Sequence, residues 1–125
     1  MGAMARLTAA DGHEFDAYVA VPQTKPLGGL VVVQEIFGVT GHIQRVADLY
    51  AEHGFKAVAP AMFDRIRSGI TLDYSAIQEG LAFMRELAWP NTLADVAAAA
   101  TEARTAGSAA VVGYCWGGKI GRAHV

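Results

Sequence analysis

The sequence has one cysteine and no long hydrophobic run. A single thiol cannot close an internal disulfide or furnish a cysteine-rich zinc site, and a reducing cytoplasm is its simplest home. The apolar stretches reach four or five residues, against roughly 20 for a bilayer span, so no membrane partner is expected. No charged-then-apolar start reads as a signal peptide. Charge is also scarce: Asp, Glu, Lys and Arg make up 18% of the chain, below the usual share of about 25%. Ten Lys and Arg against 12 Asp and Glu leave a formal net charge of −2. That balance gives no basic surplus for a nucleic-acid backbone and no single-sign tail.

What is present is apolar. Hydrophobic residues form 53% of 125 residues, enough for a buried core and the size of one domain or part of a larger one. Residues 1–5 read as an unstructured start. Residues 14–21 alternate as a strand does, entered through an Asp11-Gly12 turn. Residues 22–29, with two prolines and two glycines, read as a connection. Residues 30–33, Leu-Val-Val-Val, are a short β-branched run bounded by turn residues, as in a strand covered on both faces.

Ile43, Val46, Ala47 and Tyr50 fall at helical spacing within residues 42–53, and Gly54 is a natural stop. Residues 55–60 read as a further strand and residues 62–71 as a loop. A helix is expected over about 73–87, ending before Pro90. Another is expected over about 92–105, with Thr92 and Asp95 spaced as a capping box and Gly107 closing it. Residues 108–112 read as a last short strand. Strands alternating with helices predict an α/β fold with a mostly parallel sheet flanked by helices. No repeat, low-complexity tract or second domain is apparent.

The residues that carry chemistry are Gly113-Tyr114-Cys115-Trp116-Gly117-Gly118, directly after that last strand. Gly-x-Cys-x-Gly after an apolar strand is the spelling of a nucleophile elbow, with cysteine where serine is commoner. A sharp strand-to-helix turn lifts the nucleophile to the carboxyl end of the sheet and needs small neighbours two residues away on each side. The helix that follows aims backbone N–H groups at the reacting centre and favours thiolate. The competing reading is a small, buried, structural cysteine.

A second constellation, Gln34-Glu35-Ile36-Phe37-Gly38, follows the Leu-Val-Val-Val strand. The carboxyl ends of such strands are where α/β folds build sites, and the loop here supplies the second oxyanion-hole N–H in elbow hydrolases. Glu35 as a helix cap or an arginine partner is the alternative.

Both segments, in this order, resemble the hallmarks of the dienelactone hydrolase family of α/β-hydrolases. The Asp11-Gly12 turn, the 55–60 strand and the Asp64-Arg65 loop match its frame, and the resemblance spans residues 7–118. It implies a hydrolase of small lactones or esters with Cys115 as nucleophile and Glu35 helping to activate the thiol. The backbone N–H groups of Ile36 and Trp116 would form the oxyanion hole. Arg65 would grip a substrate carboxylate, and Phe37 would line the substrate site. No cofactor and no metal are expected.

Elbow hydrolases place an acid and then a histidine after the nucleophile. Ten residues follow Cys115, none of them Asp or Glu, and His124 is nine residues downstream. His13, His42 and His53 come too early, and His42 and His53 bound a helix as surface residues. Residues 119–125 are polar, basic and broken by Gly121, an atypical ending for a buried helix. The expectation is therefore an incomplete α/β-hydrolase domain over residues 1–125, cut after its elbow and inactive alone. Its last strand would be an open apolar edge suited to self-association. Two other readings stand beside it. One is a non-catalytic fragment or interaction module. The other is a class I glutamine amidotransferase, which also uses Gly-x-Cys-x-Gly but needs a Gly-Gly oxyanion loop and a downstream His-x-Glu that are not seen.

Overall fold

A computed structural model describes residues 2–113. Five strands form one sheet in the order β1-β2-β4-β3-β5: β1 (Ala3–Thr8), β2 (Glu14–Ala20), β3 (Gly28–Val33), β4 (Phe55–Pro60) and β5 (Ala109–Gly113). Three helices accompany them: α1 (Gly41–Glu52), α2 (Ile77–Glu86) and α3 (Trp89–Ala103). The expected α/β architecture is present, and the sheet is mixed. β3 is parallel to β4 and β5, whereas β1–β2 and β2–β4 are antiparallel.

The period-2 rule for strands explains the two-sided core. In β3 every residue is buried. Val31 and Val33 face α3, where they pack with Val58, Val96, Ala99 and Ala103. Val32 faces the other way, with Ala57, Ala59, Ile43 and Ala47 of the α1 side. Both helices meet the sheet through alanine and a few branched residues, so they lie close to it.

The local signals largely act as expected. Thr40 caps α1 by accepting from the Ile43 N–H at 3.4 Å, and the chain leaves that helix through Gly54. The turn between β1 and β2 closes through Gly12 N–H to the Ala9 carbonyl at 2.9 Å.

Three expectations are corrected. Residues 3–5 are not an unstructured start but the beginning of β1, paired antiparallel with β2. This outer strand is mostly exposed, so burial imposes no hydrophobic pattern on it. Residues 62–71 begin with a 3-10 turn, Met62–Arg65, whose Met62, Phe63 and Asp64 are buried. The Thr92/Asp95 capping box does not form. Pro90 lies in the first turn of α3, where a missing N–H leaves no bond unmade. The helix therefore starts at Trp89, behind Ala88, and Thr92 and Asp95 fall inside it as buried residues.

Candidate active site

The carboxyl ends of β3 and β5 bring the two sequence constellations together. In the parallel β3–β5 ladder Val33 stands opposite Gly113. Gln34-Glu35-Ile36-Phe37-Gly38 leaves β3 one residue beyond this pair, at the same end of the sheet to which β5 delivers Gly113. Cys115 and Trp116 lie outside the described residues, as does the atypical ending 119–125.

The loop after β3 is fixed from several sides. Gln34 is fully buried. Its Oε1 accepts from the backbone N–H of Met62 at 2.9 Å, and its Nε2 donates to the Glu35 carbonyl at 3.0 Å. Phe37 is half-buried; its carbonyl accepts from the Leu72 N–H at 2.9 Å. Its ring meets Tyr74 edge-on at 4.7 Å, and the Tyr74 hydroxyl lies 3.1 Å from Thr40 Oγ1.

Gly38 has φ +90° and sits so close to the Ile70 carbonyl that a Cβ there would lie 2.2 Å from the oxygen. Only glycine satisfies both demands. Helix α2 covers the loop. Gly80 is its one buried residue, and a Cβ at this position would approach the Ile36 carbonyl oxygen to 2.4 Å.

Glu35 is half-buried at the carboxyl end of β3. Its Oε1 is shielded from solvent and has no hydrogen-bond partner among the described residues. A carboxylate oxygen so placed is strongly disfavoured unless a donor comes to it.

Arg65 follows the end of β4 in the 3-10 turn. Its Nε and Nη2 reach Asp95 Oδ2 and Oδ1 at 3.0 and 2.8 Å, and its Nη1 and Nη2 reach Asp11 Oδ2 and Oδ1 at 2.7 and 3.1 Å. The guanidinium thus lies between two carboxylates, each bound through both oxygens. These contacts, Asp95 first and then Asp11, raise its already high pKa further. In return, the Arg65 hydrogen bond holds the Asp11 carboxyl down at about 2.

Sequence reasoning assigned no role to Gln34 or Gly80, and it read Asp95 as part of a helix cap rather than as the partner of Arg65. The signal available for Gln34 was a polar residue ending a run of buried valines. For Asp95 and Gly80 the partners lie far away in sequence, and no local pattern marks them.

Other features lie elsewhere. A surface cavity of about 540 Å³ is lined by Ala20, Val21, Asp48, Ala51 and Glu52 among others. Ala20 pairs with Ala57 near the start of β4, so this cavity sits at the opposite, amino end of the parallel strands. His42 and His53 are exposed. Among the described residues no group of three His, Cys, Asp or Glu side chains is placed to hold a metal ion. No described helix is long and apolar enough to cross a membrane.

Comparison with known proteins converges on one group. Residues 15–125 match the model of the dienelactone hydrolase family. Carboxymethylenebutenolidase 1 of Cupriavidus pinatubonensis is 33% identical over 121 residues, covering 91% of this chain and 52% of the relative. Carboxymethylenebutenolidase of Pseudomonas putida is 31% identical over 117 residues, covering 88% and 50%. A crystal structure from Klebsiella pneumoniae, provisionally described as a dienelactone hydrolase, superposes with a TM-score of 0.75 at 29% identity. That match covers 98% of this chain and 54% of the other. The chain spans about half the length of the relatives it matches.

Proposed function

The chain belongs to the dienelactone hydrolase family, and from that premise we propose that it carries the nucleophile and oxyanion-binding half of a hydrolase of small lactones or esters. Cys115 is the proposed nucleophile. Its thiolate attacks the acyl carbon, and the carbonyl π electrons move onto oxygen. The resulting oxyanion is received by the backbone N–H groups of Ile36 and Trp116. Collapse breaks the acyl–oxygen bond, the alkoxide leaves and takes up a proton, and water then hydrolyses the thioester. Glu35 is the group proposed to help activate the thiol.

The observation that carries this reading is the register of β3 and β5. With Val33 opposite Gly113, Glu35 and Cys115 each lie two residues beyond a paired position on adjacent parallel strands. The Oε1 of Glu35, which has no partner among the described residues, supports it further, because a nearby thiol would supply a donor. A free thiol nucleophile is best preserved in a reducing compartment, and the cytoplasm is the proposed location. The amidotransferase alternative falls with the family assignment.

Two roles change in emphasis. Arg65 is tied to Asp11 and Asp95 through four contacts, which favours holding the loop over gripping substrate. Phe37 is proposed to line the acyl site, its ring set by Tyr74. Acylation is the step to measure, because it reads the proposed nucleophile and oxyanion donors directly.

The test uses 4-nitrophenyl acetate and a small lactone, with the adduct located by mass spectrometry. Acylation confined to Cys115, faster than that of free cysteine and abolished in Cys115→Ala, is expected. A Cys115 that reacts no faster than free cysteine, in a full-length protein without esterase or lactonase activity, would overturn the assignment.

A further inference from the structure

We infer that Gln34 is a positioning residue that aims the Ile36 N–H, by locking the peptide plane on which that N–H is carried. The inference rests on the proposed function and adds to it a residue with no contact to substrate.

The argument begins with the peptide bond. The carbonyl of Glu35 and the N–H of Ile36 belong to one planar trans unit and point in opposite directions. Whatever fixes the carbonyl therefore fixes the N–H. Gln34 Nε2 donates to that carbonyl at 3.0 Å. The primary amide cannot turn over, because its Oε1 accepts from the Met62 backbone N–H at 2.9 Å, a group that can only donate. One rigid amide thus spans the ends of β3 and β4 and holds the plane between residues 35 and 36.

Burial makes the device strict. Gln34 is 0% exposed, so water cannot replace either bond, and a buried polar amide is tolerated only with its partners in place. A valine here would continue the run of β3 and fill the core without this demand. The next peptide is constrained from the other side, where Gly80 leaves room for the Ile36 carbonyl and for nothing larger. Ile36 is held at both flanking planes, as a preorganised oxyanion donor should be.

The experiment compares two reactions of the same sulfur in the full-length protein. Acylation by 4-nitrophenyl acetate passes through an oxyanion; alkylation by iodoacetamide does not. Gln34→Met keeps the size and removes both hydrogen bonds. It is expected to slow Cys115 acylation by about 100-fold, the scale of a lost oxyanion donor, and to leave alkylation unchanged. Gln34→Glu provides the rescue. Protonated, its carboxyl can accept from Met62 and donate to Glu35, so acylation relative to alkylation recovers at low pH. It falls as the buried acid ionises, a pH step the wild type lacks.

Equal losses in both reactions, or no loss in either, would overturn the role of Gln34 alone. A wild-type Cys115 that is acylated no faster than free cysteine would overturn this inference together with the hydrolase reading.

Discussion

Arg65 and Asp95 meet edge to edge, Nε to Oδ2 at 3.0 Å and Nη2 to Oδ1 at 2.8 Å, although thirty residues separate them in sequence. The pair ties the turn after β4 to the buried face of α3. Asp95 is 1% exposed and Arg65 13%, so the charges are screened little by water.

Removing the arginine leaves Asp95 buried and unpaired. Arg65→Met is expected to destabilise the protein by about 3–5 kcal/mol, the usual loss when one partner of a buried ion pair is deleted. Arg65→Lys keeps the charge but not the two-pronged geometry and should fall between. Urea unfolding of the three proteins under one set of conditions measures both differences.

Asp11 gives the pair a pH signature. Its carboxyl, held at about 2 by Arg65, lies below the unfolded value of about 3.9. A depressed carboxyl pKa stabilises the fold at pH values above the unfolded one, and that stabilisation is lost as pH falls through the folded one. The stability gap between wild type and Asp11→Asn should therefore be constant above about pH 5. It should shrink below about pH 4 and be gone only at about pH 1, once both states are protonated. Unfolding midpoints collected as a pH series check this, and a gap that widens on acidification contradicts it.

Gly80 is where a single methyl group should matter. In Gly80→Ala the new Cβ meets the Ile36 carbonyl oxygen at 2.4 Å, so either α2 or the loop after β3 must move. Overpacking of this kind costs about 1–3 kcal/mol. If the loop yields, Cys115 acylation falls with stability; if α2 yields, only stability falls. Gln78→Ala, two residues away on the exposed face of α2, is the control and should alter neither acylation nor Tm.

How much of this was legible in the sequence follows from burial. The Leu-Val-Val-Val run, the 55–60 strand and the α1 stripe are set by the core, and their patterns reveal them. β1 is a mostly exposed outer strand, anchored by Leu7 against the core and by the Arg6–Asp16 ion pair but otherwise by backbone bonds to β2, so residues 3–5 carry little that announces it. The helix before Pro90 does end ahead of it, but proline also opens helices, and the start of α3 at Trp89 was hidden by the apparent cap at Thr92. In the site, the motif residues Glu35 and Ile36 stand at the expected strand end. Gln34 was read only as a letter of the motif, since its meaning depends on Met62. Arg65 was readable as a charged loop residue, but its two carboxylate partners come from a distant turn and a distant helix.

Among the described residues β5 pairs with β3 on one edge and with no strand on the other, and Val111 and Val112 are only half-buried. Such an edge invites pairing with another chain. The 125-residue chain is expected to associate as its concentration rises, and Ala110→Lys, at an exposed position of β5, should weaken that association. Sedimentation velocity over a concentration series reads both; a concentration-independent monomer would show that the edge is covered.

The β3–β5 ladder also sets an order of events during translation. Gln34 needs only Met62 to complete its clamp, whereas the neighbour of Val33 is Gly113, eighty residues later. At about 5–20 residues per second, a ribosome takes roughly 4–16 seconds to supply that neighbour. The loop after β3 can therefore make its bond to Met62 while the strand that leads to Cys115 is still being made. Of the two proposed oxyanion donors, the Ile36 N–H can thus be held early, whereas that of Trp116 arrives only with the proposed nucleophile, one residue after Cys115.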